Sequence, residues 1–354
     1  MHNKWIRCLV FAIIFALIFI PASDLFVKAG NRTYVYQREF FYGQQQNSID
    51  IIYIGGSTIL TGIQPAVIWN ESNITGFNCA ISGPLPFSLY YLLKEALETQ
   101  SPAVVVLDAQ ILLNRRDVDD SYAEPYLRIA LHTIADKRVR REAVNELAQI
   151  SKKSAFYIHL SFLFPYIRYC LNWNEMGPLG VVRLLQGETT RMKKSHMGAI
   201  VYTGYEGENH FDASFMDKSD LNVEYTDFSY EYYKRMFELC KNKNINLVML
   251  SMPHPGWSYE KHNTVQEICD ENDILFFDLN LFLSEMEIDP SKDFFNKSHL
   301  NITGANKVSV FLSDILSSMI AEGAGADESV REVWDETWVD FSKEYQSYYD
   351  NESE

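Results

Sequence analysis

The stretch Ile49-Asp50-Ile51-Ile52-Tyr53-Ile54-Gly55-Gly56-Ser57-Thr58 decides how this chain is read. Ile49 to Ile54 is apolar and rich in isoleucine, the composition of a buried strand. Two glycines end it, and a serine follows at once. A strand that delivers a serine through glycines is a common setting for a nucleophile. In an open parallel sheet this position, the carboxyl end of a strand, is also where ligands gather.

Working outward, the same rhythm recurs. Gly76 to Ala80 reads as a short strand, Pro86 to Gln100 as a helix through Leu89, Leu92, Leu93, Ala96 and Leu97, and Val104 to Leu107 as a third strand. From about residue 112 to 215 the pattern turns helical, with helices expected at Glu124 to Ile150 and Ala155 to Leu171 and a Gly/Tyr/Glu-rich loop at Tyr202 to His210. The rhythm resumes with a helix at Tyr230 to Asn242, a strand at Ile245 to Leu250, a helix through Val265 and Ile268, a strand at Ile274 to Phe277 and a closing helix at Ala305 to Ile320. The spacing predicts an α/β fold, a three-layer flavodoxin-like parallel sheet of five strands with a helical insertion. Residues 31 to 48 read as a polar lead-in. Beyond Gly323 and Gly325, Val330, Trp334, Trp338, Phe341 and Tyr345 recur at helical spacing in an acidic tail over residues 326–354. That face either packs back on the domain or docks on a partner.

Composition narrows the function classes. The 354 residues suit one enlarged α/β domain over about 31–325 with an insertion. Hydrophobic residues at 47% and charged residues at 22% exclude a disordered chain. A formal net charge of -16 repels phosphate backbones, which argues against nucleic acid as a partner. The five cysteines form no CxxC pair and the eight histidines no HxH or HExxH cluster, so neither metal nor cofactor is expected. One or two disulfides would fit, but a core of this size needs none.

At the amino terminus Lys4 and Arg7 precede an apolar run from Cys8 to Ile20 and then Pro21. A charged region followed by an apolar one marks export, as either an uncleaved signal anchor or a signal peptide over about residues 1–30. Val27 and Ala29 would suit cleavage before Gly30. Asn-x-Ser/Thr sequons begin at Asn73, Asn296 and Asn301, and glycans on the last two would crowd His299. An active enzyme is easier to reconcile with a bacterial envelope than with a glycosylating secretory pathway.

The strand ends collect the residues that carry chemistry: Ser57 after the first, Gly83 after the second, Asp108 and Gln110 after the third, His254 after the fourth, Asn296 and His299 after the fifth. A serine needs a base, a histidine supplies one near neutral pH, and the imidazole needs an acceptor to fix its tautomer. Ile54 to Pro65 resembles the nucleophile block of SGNH (GDSL-like) hydrolases, with Ser57 at the serine position. Asn296 to Gly304 resembles their final D-x-x-H block, with His299 at the histidine. Asn78-Cys-Ala-Ile-Ser-Gly83 resembles the second block of envelope members such as the D-alanyl lipoteichoic acid transfer protein and polysaccharide O-acetylation proteins. The resemblance covers about 49–110 and 240–320. It implies an extracytoplasmic serine esterase or O-acyltransferase acting on acyl groups of a cell-surface polysaccharide, with a membrane acyltransferase as a further partner.

Where the family has aspartate, this chain has Asn296. Three readings follow: Asn296 orients His299 in a slower enzyme, Asp293 substitutes for it, or the protein is a non-catalytic scaffold of an acylation machine. A lipid esterase, with an apolar pocket along the 155–171 helix, is the further rival. For an oxyanion hole, the N–H groups of Ser57 and Gly83 are natural donors, with the Gln110 amide as a third. His254, between Pro253 and Pro255, reads as a loop residue.

Overall fold

The computed structural model describes residues 2–30, 32–165, 192–204, 206, 211, 214–320 and 327–352. Side chains at 2, 3, 20–30 and 349–352 are outside the description. Five strands, β1 (Ile51–Ile54), β2 (Gly76–Asn78), β3 (Val104–Asp108), β4 (Asn246–Ser251) and β5 (Leu275–Asp278), form one parallel sheet in the order β2-β1-β3-β4-β5. The order reverses between β1 and β3, which pair with Ile51 beside Val104 and Ile54 beside Leu107. Ligand crevices open at the carboxyl ends of strands at such a switch point. Both faces of β1 are buried, so its run of isoleucines feeds two cores. Ile52 and Ile54 pack with Leu89, Leu93 and Met249, whereas Ile51 and Tyr53 pack with Val308 and Leu312 of the helix Ile302–Ser317.

Helices stand where the periodicity placed them, with different bounds: the one expected from Tyr230 starts earlier, Asp227–Asn242, and the closing one is Ile302–Ser317. The helix before β3 is Pro86–Ala96, and the one expected over Glu124 to Ile150 is two, Glu124–Thr133 and Lys137–Ile150. Ile134 is extended (ψ 114°), and the Asp136 carboxylate accepts from the N–H groups of Arg138 and Val139, starting a new helix. A third insertion helix spans Ala155–Leu163; its expected continuation to Leu171 lies outside the described residues, as do Cys170, Gly323 and Gly325. Cys79, Cys240 and Cys269 are buried free thiols.

The polar lead-in carries a helix of its own. Arg32–Tyr42 is a helix that covers the edge strand β2 with polar side chains. Gln37 Nε2 donates to the carbonyls of Asn78, Ala80 and Gly198, and Arg38 Nη2 donates to that of Cys79. These groups satisfy an edge that would otherwise expose unpaired carbonyls. The tail folds back as a helix, Glu328–Glu352, with Trp334 and Phe341 buried against the helix Pro65–Ser72 and its surroundings. Trp69 packs at a tilt on Trp334 at 5.7 Å and donates its indole N–H to Asp335 at 3.0 Å.

A helix spans His2–Gly30, and its apolar side chains from Trp5 to Ile18 are exposed on all sides. Among the described residues no helix is long and apolar enough to cross a membrane. The run Cys8 to Ile20 falls short of the roughly 20 apolar residues a span prefers.

Candidate active site

Strand β1 ends at Ile54, and the chain turns through Gly55 and Gly56 into a short helix, Ser57–Gly62. Close approach requires the first glycine and crowds the second. A Cβ on Gly55 would lie 2.6 Å from Asp108 Cβ and from Ile59 Cγ1, and one on Gly56 3.2 Å from Asp108 Oδ2. Asp108, fully buried at the end of β3, holds this turn: its Oδ2 accepts from Gly56 N–H at 2.8 Å and its Oδ1 from Gln110 N–H at 2.9 Å. Burial pushes its carboxyl up to about 6, against the pull of those hydrogen bonds. Asn78 steadies the far end of the short helix, donating to the carbonyls of Ile59 and Ile63. Neither support carries a period that sequence reading detects, since each is a single buried polar residue.

His299 comes to Ser57 on a tight loop. Phe294 bridges Leu300 antiparallel, Phe295 N–H donates to His299 O at 2.8 Å, and Asn301 then caps the helix Ile302–Ser317 through the N–H groups of Thr303 and Gly304. The imidazole Nε2 lies 2.8 Å from Ser57 Oγ, and Nδ1 lies 2.9 Å from Asn296 Oδ1. The same Oδ1 accepts from the backbone N–H groups of Ser298 and His299 at 3.0 and 3.2 Å. Those two can only donate, so the atom they meet is the amide oxygen. Nδ1 therefore carries the imidazole proton, Nε2 presents its lone pair, and the Ser57 hydroxyl donates to it. Burial holds His299 below the ordinary histidine range, which keeps it neutral and basic-site open near pH 7. The ring meets Tyr202 edge-on at 6.0 Å, and Tyr202 stacks on Phe295 at 4.3 Å.

Asp293, the alternative orienter, faces elsewhere. Its Oδ2 accepts from Lys307 Nζ and from Asp289 N–H, each at 2.7 Å, and its backbone lies against Gly304, where a Cβ would stand 2.3 Å from the Asp293 carbonyl. The carboxylate is spent on closing the loop. Gln110 is likewise committed: Nε2 donates to Met252 O at 3.1 Å and Oε1 accepts from Thr58 at 3.2 Å, so its amide ties β3 to β4 instead of facing the serine as an oxyanion donor. Gly83 has a positive φ of +57°, and a Cβ there would lie 2.8 Å from the Tyr126 ring. His254 follows β4. Its Nδ1 accepts from Gly256 N–H at 2.9 Å, and its backbone N–H donates to Asn280 Oδ1 at 2.8 Å. Burial first, then the neighbouring Lys261 ammonium and His299 ring, pull it down to about 4, so it stands neutral.

No protein-family model matches the chain, and no curated protein does. Among solved structures it is similar to a lipolytic protein of the G-D-S-L family from Desulfitobacterium hafniense DCB-2, with a TM-score of 0.34 and 11% identity over 76% of this chain and 98% of that one. It is also similar to a gut microbial diltiazem-metabolizing enzyme, with a TM-score of 0.29 and 12% identity over 79% of this chain and 49% of that one. At that level of likeness the chemistry rests on the chain's own residues.

Proposed function

We propose that the protein is a serine esterase or O-acyltransferase of the SGNH type, with Ser57 as nucleophile, His299 as general base and Asn296 as the group that orients it. The observation that carries this reading is the continuous relay from Ser57 Oγ to His299 Nε2 and from Nδ1 to Asn296 Oδ1, at 2.8 and 2.9 Å, at the sheet's switch point. In the acylation step the Ser57 Oγ–H proton passes to Nε2 as Oγ bonds to the ester carbonyl carbon. The ester C–O bond then breaks, His299 returns the proton to the leaving alcohol, and water or a sugar hydroxyl releases the acyl group by the reverse sequence. The Ser57 N–H begins a helix and has no carbonyl four residues back within it, and with the Gly83 N–H it would receive the oxyanion.

The substrate in this reading is an acetyl group on a cell-surface polysaccharide, and the site is extracytoplasmic, held at the membrane by the apolar segment Trp5 to Ile18. A membrane acyltransferase would supply or share the acyl chain's route. The second reading, a binding subunit without turnover, is favoured by one observation: an uncharged amide stands where a carboxylate would stabilise an imidazolium. A lipid esterase is less well supported, because the groove along Ala155–Leu163 is lined by Lys137, Arg140 and Arg141 and shares no residue with the Ser57 site. Intact mass of the full chain after treatment with a fluorophosphonate decides between enzyme and subunit. A single adduct that vanishes in Ser57→Ala supports turnover, and no Ser57-dependent adduct removes the proposal.

A further inference from the structure

Away from Ser57, a groove of about 660 Å³ runs between the helices Lys137–Ile150 and Ala155–Leu163, lined by His132, Lys137, Arg140, Arg141, Phe162 and Leu163 among others. Three cations converge there in a chain whose net charge is -16. Arg138, on the same helix, is held by Glu98 and Glu142, but among the described residues no carboxylate pairs with Lys137, Arg140 or Arg141. A second feature of the groove wall points to a ligand. His132 Nε2 is buried with no hydrogen-bond partner, while its ring packs on Phe162 at 4.8 Å. Buried polar nitrogens are almost always satisfied, so an orphan in a cationic groove marks a place where an acceptor fits. Burial and the charges of Arg128 and Arg140 pull His132 down to about 3, so the ring is neutral and its Nε2–H tautomer would donate one hydrogen bond to an anion.

The groove's border identifies the source of that anion. Phe156 and Leu163 on the flanking helix are 75% and 54% exposed, and Phe19, near the end of the apolar N-terminal run, lies 6.1 Å from Phe164 between ring centroids. A free phosphate would need the cations alone. Exposed apolar side chains beside unpaired cations suit the layer where acyl chains meet lipid phosphates. We propose that this groove binds the phosphate-bearing headgroup of an anionic membrane phospholipid, through Arg140, Arg141, Lys137 and His132, and so sets the domain at a fixed height on the bilayer. The choice of lipid over free anion rests on the membrane attachment proposed above, whereas it needs nothing of the Ser57 chemistry.

The test uses the full chain in neutral maltoside micelles, titrated calorimetrically with dihexanoyl phosphatidylglycerol, dihexanoyl phosphatidylcholine and inorganic phosphate. Saturable binding of phosphatidylglycerol is expected, with much weaker binding of the zwitterionic lipid and of phosphate. The double variant Arg140→Gln/Arg141→Gln should weaken it roughly tenfold or more. His132→Phe, which keeps an aromatic ring and deletes the nitrogen, should weaken it severalfold, with folding of both variants checked by thermal melting. Ser57→Ala should bind as wild type does, so a failed esterase reading and a failed lipid site are told apart. No saturable phosphatidylglycerol binding, equal binding of inorganic phosphate, or folded variants that bind like wild type would each overturn the proposal.

Discussion

Asn296→Asp places a carboxylate under His299 with little disturbance of the loop that carries it. Three donors, the N–H groups of Ser298 and His299 and the His299 Nδ1–H, all reach the one oxygen, Oδ1. A carboxylate oxygen at that position keeps every bond and adds a charge that attracts the imidazolium formed when Ser57 attacks. Two unit charges about 4 Å apart attract by about 4 kcal/mol at an effective dielectric constant of about 20, and by about 1 kcal/mol in water. His299 and Asn296 are half-buried, between those limits. A gain of about 2 kcal/mol is expected, roughly thirtyfold in turnover. The same charge favours the protonated ring, so the acid limb of kcat/KM should move to higher pH, by about one pH unit or more. Hydrolysis of p-nitrophenyl acetate from pH 5 to 8 by the two proteins measures both quantities. A folded Asn296→Asp protein with unchanged turnover and an unmoved acid limb would refute the orienting role of Asn296.

Asp293→Ala should destabilise the fold by about 2 kcal/mol, since Lys307 and the Asp289 N–H lose a buried acceptor, while fluorophosphonate labelling of Ser57 in the folded protein keeps its rate. A stable variant with slow labelling would instead return Asp293 to the site. Asp108 titrates near 6 in the folded chain, above the roughly 3.9 of an unfolded aspartate, so its ionisation opposes folding. The stability it withholds should therefore grow as pH rises from about 4 to about 6, reaching at most about 3 kcal/mol, and Asp108→Asn should lack that slope. Parallel urea-midpoint curves for the two proteins across that interval would count against it. Gly55→Ala sets a methyl 2.6 Å from Asp108 Cβ and Ile59 Cγ1, and the displaced turn should cost about 1–3 kcal/mol of stability and slow Ser57 labelling together. If labelling keeps its rate, the turn does not position the serine.

The parts of this molecule that could be read from the sequence are those where an apolar period or a local motif carries the information. The five strands, the helix Pro86–Ala96 and the tail with Trp334 and Phe341 announce themselves by the spacing of side chains that seek a core. Ser57 and His299 stand in motifs a few residues long, and the fold then sets them 2.8 Å apart across 242 positions of chain. What the sequence hides is polar burial. Gln37 and Arg38 look like a solvated lead-in until the carbonyls of Asn78, Cys79 and Ala80 are seen to need them, some 41 to 43 residues away. Asp108 and Gln110 look like candidates for chemistry until their partners, Gly56 N–H and Met252 O, turn them into braces. The choice between Asp293 and Asn296 is of the same kind. They lie three positions apart in one loop, and charge alone favours Asp293. The hairpin formed by Phe294, Phe295, His299 and Leu300 turns Asp293 inward to Lys307 and curls Asn296 beneath the imidazole. The neutral amide thus lies beneath the imidazole, while the Asp293 carboxylate is taken up by Lys307 and the Asp289 N–H.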